Sequence, residues 1–198
     1  ANFDQLASAI MDKNGVIQCL ELAKDGVIDN VYPLQGNEHV LGLNLLTAEK
    51  RSYEANLARS TGKYTIAGPF PLVQGGVGAL LLDPIFKYNN KGEYRFWGFA
   101  VVVIDWEAFV KEVNLQHLEK SGYHYSIWHR DPYTGAKANI AASDHMVSMD
   151  AIQVSCPMPN DFWYVDIEVD GGWISPLTQD AYWALAMLIS LLLTIGYW

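Results

Sequence analysis

The sequence predicts an α+β fold: two helix-plus-sheet units in series, each with its own antiparallel sheet, followed by an apolar C-terminal helix. Three observations predict it. Short apolar runs are separated by turns rich in Gly, Asn and Pro, not by long helical crossovers, and such spacing builds antiparallel sheets. These runs fall in two groups on either side of one helical stretch at Trp106–Lys120. The last eighteen residues, Ala181–Trp198, carry no charge at all. With 198 residues the chain holds one large or two small domains, and 51% hydrophobic against 18% charged residues excludes wholesale disorder.

In chain order, Phe3–Met11 places Phe3, Leu6, Ala7 and Ile10 at helical spacing before an Asp12-Lys13-Asn14-Gly15 turn. Val16–Leu22 and Val27–Tyr32 are apolar runs split by Lys24-Asp25-Gly26, a hairpin pattern. Pro33–Asn37 is a loop. Thr47 can cap a helix from Ala48 to about Ser60, with Tyr53 and Leu57 on one face and Gly62 at its end. Tyr64–Ile66, Phe70–Val73 and Val77–Leu82 are short strands punctuated by Gly68-Pro69 and Gly75-Gly76. The turn Asn89-Asn90-Lys91-Gly92 leads into Tyr94–Ile104, whose long apolar run suits a central strand. Asp105 closes the first unit as an N-cap, and a helix runs from Trp106 to about Lys120.

The second unit is mostly strands: Tyr123–His129, Lys137–Ala141, Ala151–Cys156 and Phe162–Val169. In the last of these, Trp163, Val165, Ile167 and Val169 alternate with Tyr164, Asp166, Glu168 and Asp170, one face buried and one solvated.

As a helix, Ala181–Trp198 spans roughly 27 Å at ~1.5 Å per residue, close to the ~30 Å hydrocarbon core of a bilayer. It is apolar all round, with Trp and Tyr at both ends, so it is expected to be the start of a transmembrane helix rather than a buried amphipathic one. No Lys or Arg follows Lys137, whereas Asp144, Asp150, Asp161, Asp166, Glu168, Asp170 and Asp180 accumulate. By the positive-inside bias the preceding domain then lies outside the cytoplasm. The N-terminus has no signal-peptide pattern, so residue 1 is expected to be an internal or artificial start.

Composition excludes several function classes. Thirteen Lys+Arg against twenty-two Asp+Glu give a net charge of −9, which repels phosphate backbones and argues against nucleic acid as a partner. No nucleophile elbow, P-loop, dinucleotide fingerprint or zinc-protease motif occurs, and no cofactor is implied. The five histidines show no metal-binding spacing, since His124 and His129 fall on opposite faces of one strand. Asp166, Glu168 and Asp170 read as a solvated strand face, and Gly75-Gly76-Val77-Gly78 as a tight turn, not a phosphate cradle. Cys19 and Cys156 lie far apart with no CxxC or metal spacing, so a disulfide between them is open but not implied.

The first unit holds a set suited to binding. Tyr32, Asn44, Arg51, Tyr53, Tyr64 and Asp83 interleave with Leu- and Val-rich strands, as a pocket with apolar walls and a few fixed polar groups requires. Asp83 follows Leu80-Leu81-Leu82 and precedes Pro84, where a carboxylate is costly unless paired. Arg51 is its natural partner, or an anchor for an acidic ligand group. A turn Asp at a strand end and a surface Arg on the helix are the plainer alternatives.

Several segments are familiar in order: Gly26-Val27-Ile28 through Tyr32-Pro33-Leu34, Leu41-Gly42-Leu43-Asn44-Leu45-Leu46, and Leu57-Ala58-Arg59-Ser60-Thr61-Gly62-Lys63. Gly68-Pro69-Phe70-Pro71-Leu72-Val73-Gln74-Gly75-Gly76 running into Leu82-Asp83-Pro84-Ile85-Phe86 continues the set, and Phe96-Trp97-Gly98-Phe99 with Val101-Val102-Val103-Ile104-Asp105 closes it. Together they resemble the CHASE domain over about residues 15–113. The resemblance implies the sensory ectodomain of a receptor with a histidine kinase, diguanylate cyclase or nucleotide cyclase output.

The implied fold is a long N-terminal helix, most of which this chain lacks along with an upstream membrane span, followed by two tandem PAS-like (Cache-like) units. Residues 1–105 would then be the membrane-distal ligand-binding unit, 106–176 the membrane-proximal unit and 181–198 the start of the transmembrane helix. In plant cytokinin receptors of this family the residue aligned with Arg51 is an aspartate that recognises the adenine ring. The reversed charge here points to an acidic or carbonyl-bearing ligand. Ala67, Val73 and Leu82 carry over as wall positions.

Two functions from different classes follow. One is a non-catalytic small-molecule sensor, working as a homodimer and signalling through the C-terminal helix; the other is a ligand-free dimerisation or adhesion module. An extracellular hydrolase is set aside for want of a nucleophile or metal set. The distal cavity discriminates the first two: a closed apolar core there favours the module.

Overall fold

The computed structural model describes residues 2–11, 14–173 and 176–195. Helix α1 (Phe3–Ile10) precedes a hairpin of β1 (Ile17–Lys24) and β2 (Val27–Tyr32). The hairpin turns through Asp25 and Gly26, both left-handed at φ 54° and 87°. Helix α2 (Ser52–Thr61) ends on Gly62 at φ 69° and leads to β3 (Thr65–Pro71), β4 (Val77–Tyr88) and β5 (Tyr94–Asp105). These strands form one antiparallel sheet in the order β2-β1-β5-β4-β3, with the apolar β5 at its centre.

Past Asp105 come α3 (Trp106–Val113), α4 (Gln116–Lys120), β6 (Tyr123–Arg130), β7 (Lys137–Ala142), β8 (Ile152–Pro157) and β9 (Phe162–Val169). The second sheet is also antiparallel, ordered β7-β6-β9-β8. Asp105 separates the two sets of strands and caps α3, accepting a 2.8 Å hydrogen bond from the Ala108 amide.

The first sheet is deeply buried on its α2 face and partly covered on the other. One face packs Cys19, Phe70, Leu80, Leu82, Phe99, Val101 and Val103 against Ala55 and Ala58 of α2 and the loop residues Val40 and Leu45. The other carries Ala79, which packs with Trp106 of α3 and with Ile140 of the second sheet. Contact between the sheets is also polar. Asn160, in the turn between β8 and β9, accepts from the Ile66 amide at 2.8 Å and donates to the Ile66 carbonyl at 3.1 Å, extending the open edge of β3. Trp106 Nε1 donates to the Ile140 carbonyl at 3.1 Å.

Four elements depart from the sequence expectation. The helix expected from Ala48 begins at Ser52, because Lys50 sits at φ 63° and interrupts the turns before it; Thr47 caps nothing. Trp106–Lys120 is two helices, parted by Asn114 at φ 55°. The separate strands at Tyr64–Ile66 and Phe70–Val73 are one strand, with a register shift between Ala67 and Phe70. Finally β4 runs through Asp83 and Pro84 to Tyr88. The proline is tolerated there because β3 begins at Thr65 opposite Leu82, so β4 has no β3 neighbour beyond it.

Helix α5 (Pro176–Ile195) covers most of the predicted span, and Tyr182, Trp183, Leu185, Met187, Leu188 and Ile189 on it are exposed. Among the described residues no helix is long and apolar enough to cross a membrane. The side chains of residues 191–198 and the backbone of 196–198 belong to the expected span and lie outside the described residues.

Gly98 marks the tightest approach in the first sheet. A Cβ there, at φ 156°, would meet the Ala23 carbonyl oxygen at 2.2 Å, and backbone cannot swing away as a side chain can. Gly98→Ala is expected to destabilise the chain by about 2–4 kcal/mol in urea unfolding, as other forced overpacking does.

Candidate ligand-binding site

Strand alternation places Cys19, Glu21 and Ala23 on the α2 face of the first sheet, all nearly or fully buried. Glu21, at 3% exposure, is therefore a carboxylate in the centre of a packed sheet. Opposite it stands Arg51, the residue before α2, at 7% exposure and with its guanidinium 4.8 Å above the Phe70 ring. Both line a cavity of about 10 Å³, with Gln74 as a third polar wall and Leu72, Leu80 and Val103 among the apolar ones. That volume is at the limit for a single water.

The polar atoms around this cavity are incompletely satisfied. The Cys19 thiol donates to Glu21 Oε1 at 3.7 Å, and Gln74 Nε2 donates to the Cys19 sulfur at 3.9 Å. Glu21 Oε2 and Arg51 Nε have no hydrogen-bond partner, and among the described residues Arg51 makes no ion pair. Burial pushes the Glu21 carboxyl up to about 7, against the opposing pull of the Cys19 thiol and the Arg51 charge. Burial likewise pushes the Cys19 thiol up, with the charge of Glu21 adding to it, so it remains a protonated donor. The Arg51 guanidinium is lowered by burial, an effect that the Glu21 charge opposes. An acid and a guanidinium that line one cavity without an ion pair leave buried polar atoms of both unsatisfied, which a purely structural core has reason to avoid.

The structure brings only part of the predicted set together. Arg51 is at the cavity, and Ala67 and Leu82 are fully buried in the core beneath α2. Asp83 does not pair with Arg51: it is exposed, and β4 alternation turns it to the sheet face opposite the one that Leu80 and Leu82 share with Arg51. Asn44 serves the loop, its Oδ1 accepting from the Leu46 amide at 2.9 Å. Tyr53, Tyr64 and Val73 are about half exposed, and Tyr32 is partly buried at the end of β2. Glu21 was missed. The signal available was a lone acid inside the apolar run Cys19-Leu20-Glu21-Leu22-Ala23. Gln74 carries no such signal, since it stands in a glycine turn among ordinary turn residues.

An α+β module that holds a buried, unsatisfied acid and base at one small cavity has the makings of a ligand-binding domain. The CHASE domain model matches residues 21–138, and the chain belongs to that family of sensory domains. The fold is similar to a solved structure described as an extracellular ligand binding receptor from Desulfohalobium retbaense DSM5692. The two are 15% identical with a TM-score of 0.60, and the match covers 83% of this chain and 32% of that one. The chain thus spans about a third of that receptor's length. No curated protein matches the chain.

The raised carboxyl groups set a pH dependence. An acid with its folded pKa above the unfolded value contributes stability that is complete below about 4.5 and is lost as pH rises through about 7. Glu54, also pushed to about 7 by burial, acts in the same direction. Melting is therefore expected at higher temperature near pH 5 than near pH 8, by on the order of 1–3 kcal/mol of stability. Glu21→Gln should remove part of that slope, and the Glu21→Gln/Glu54→Gln pair most of it, in thermal melts across this range.

Proposed function

We propose that the chain is the extracytoplasmic sensing region of a membrane-bound receptor, and that it takes a small molecule at the corner formed by Glu21 and Arg51. The observation that carries the reading is the buried acid and base with unpartnered atoms at one cavity. A closed apolar core would favour the ligand-free module; this cavity is small, but Glu21, Arg51 and Gln74 line it, and that polarity favours the sensor. A ligand fitted to it offers an acceptor to Arg51 and a donor to Glu21, so an amino acid, amide or comparable ampholyte suits it better than a simple acid. Entry requires that the loop bearing Val40, Leu43 and Leu45 move outward, because these side chains wall the cavity. That movement is the two-state element on which a ligand can act through differential affinity.

On this reading residues 1–105 form the membrane-distal unit and 106–176 a second PAS-like unit. The apolar stretch 181–198 anchors the chain and passes the signal to a histidine kinase or diguanylate cyclase, with the receptor acting as a homodimer. The family membership and the exposed apolar side chains of α5 support this arrangement.

The test is a thermal-shift screen of the purified chain against amino acids, amides and small carboxylic acids, followed by calorimetric titration. A charge-assisted hydrogen bond from Arg51 contributes about 1.5–3 kcal/mol, so Arg51→Ala should weaken the ligand found roughly 10- to 150-fold. Unchanged affinity in Arg51→Ala, or a bound molecule located on the second sheet alone, overturns the reading.

A further inference from the structure

A second cavity, of about 160 Å³, opens where the two sheets meet. Its walls come from α2 and β3 on one side, and from the turns after β6 and before β9 on the other. Three carboxylates border it: Glu54, Asp131 and Asp161. Glu54 is 5% exposed, and its Oε2 has no hydrogen-bond partner although it lies against a cavity large enough for several heavy atoms. His129, Arg130 and Asn160 also border it, and Tyr53, Ile66, Met158 and Trp163 supply its aromatic and aliphatic part.

The charges around this cleft do not cancel. Asp131 Oδ1 accepts two amides of its own turn, from Tyr133 and Thr134, each at 2.8 Å. Asp161 Oδ2 lies 3.5 Å from His129 Nδ1. Arg130 also borders the cleft, but its guanidinium donates to the Gly135 carbonyl at 3.4 Å and lies 6.0 Å from the Trp128 ring. Burial, then the charges of Asp131 and Asp161, push the Glu54 carboxyl up to about 7, as expected where negative charge lacks a counter-ion.

The shape selects the kind of cation. Among the described residues no three acidic, His or Cys side chains converge closely enough to hold a metal ion. A cleft with one deep carboxylate and an apolar, aromatic wall instead fits an ammonium on a small hydrophobic body, which ring faces and a buried acid recognise together. The walls are held in place from both sides: Asn160 is stapled to the Ile66 backbone, and the Tyr133 hydroxyl accepts the Tyr53 amide at 3.1 Å.

We propose that this cleft is a second binding site, for a small organic ammonium ion whose charge partner is Glu54. It goes beyond the Arg51 cavity and does not depend on it. Because the walls come from both sheets, an occupant favours the docked arrangement of the two.

The test titrates the chain with benzylammonium, and with benzyl alcohol as the neutral match, followed by amide and indole NMR shifts. Benzylammonium is expected to bind saturably, moving the Trp163 indole and the amides of Ile66 and Asn160, with benzyl alcohol at least ~10-fold weaker. Glu54→Gln should weaken benzylammonium about 10-fold or more, whereas Asp29→Asn, on the opposite sheet edge, should leave it unchanged. Asp161→Asn gives the same direction if Glu54→Gln fails to fold. Equal binding of the alcohol, unchanged affinity in the folded acid variants, shifts confined to the surroundings of Glu21, or no saturable binding would each overturn the site. Shifts centred on Trp163, Ile66 and Asn160, with none around Glu21, keep this result separable from that of the first cavity.

Discussion

The placement of β5 is the constraint on which the rest of the chain depends. It pairs with β4 along its whole length and with β1 from Gly98 to Ile104, so its second half has neighbours on both sides. Phe99, Val101 and Val103 project to the α2 face, and the intervening residues to the face shared with α3 and the second sheet. Apolar surface removed from water on both sides gives this strand its hold, at roughly 25 cal/mol per Å². Its last residue, Asp105, both ends the ladder and caps α3, which carries Trp106 under the first sheet. The central strand thereby also fixes where the second half of the chain begins.

A sheet face packed under α2 makes any charge on it expensive. Glu21 is a ladder residue of β1, paired with Val31 and Val101, and strand alternation gives its side chain no route to solvent. Its acidity falls for that reason, and Arg51 moderates the effect without reaching it. Replacing such a pair by well-packed apolar residues commonly costs little or even stabilises. Perturbed, unsatisfied ionisable groups at a cavity are more readily understood as recognition elements than as supports for the fold.

The second sheet shows the opposite use of charge. Asp166 on β9 accepts from Trp128 Nε1 of β6 at 2.8 Å, Lys137 of β7 at 3.0 Å and Gln153 of β8 at 2.7 Å, so one carboxylate joins all four strands. These donors hold it below the usual carboxylate range despite burial. Glu168 accepts twice from Ser148, and Asp170 meets the His124 ring. The acidic alternation that begins in Phe162–Val169 lies on a solvent-facing side, as expected, and also stitches a sheet with few fully buried side chains. Glu54 has no such donors, and the contrast between the two acids separates a structural carboxylate from one open to a ligand.

The sequence by itself determined the elements and their grouping. Period-two alternation, turn glycines and the capping aspartate at position 105 are local, so the strands, the division at Asp105 and the central rank of Tyr94–Ile104 were legible, as was the ordered motif set of the CHASE family. Arg51 could be singled out because a charge beside apolar strands is conspicuous in one dimension. Its partner could not. Glu21 and Asp83 lie 30 residues before and 32 after Arg51, and sequence spacing favoured neither. Only the packing of α2 on the β1-β5-β4 face set Glu21 across the cavity from Arg51, while β4 alternation turned Asp83 to the other face. The junction of the sheets was equally out of reach, since Glu54, Asp131 and Asp161 meet through the docking of two separately formed sheets. Local patterns set which face a side chain takes on its own strand; tertiary structure alone decides what stands across from it.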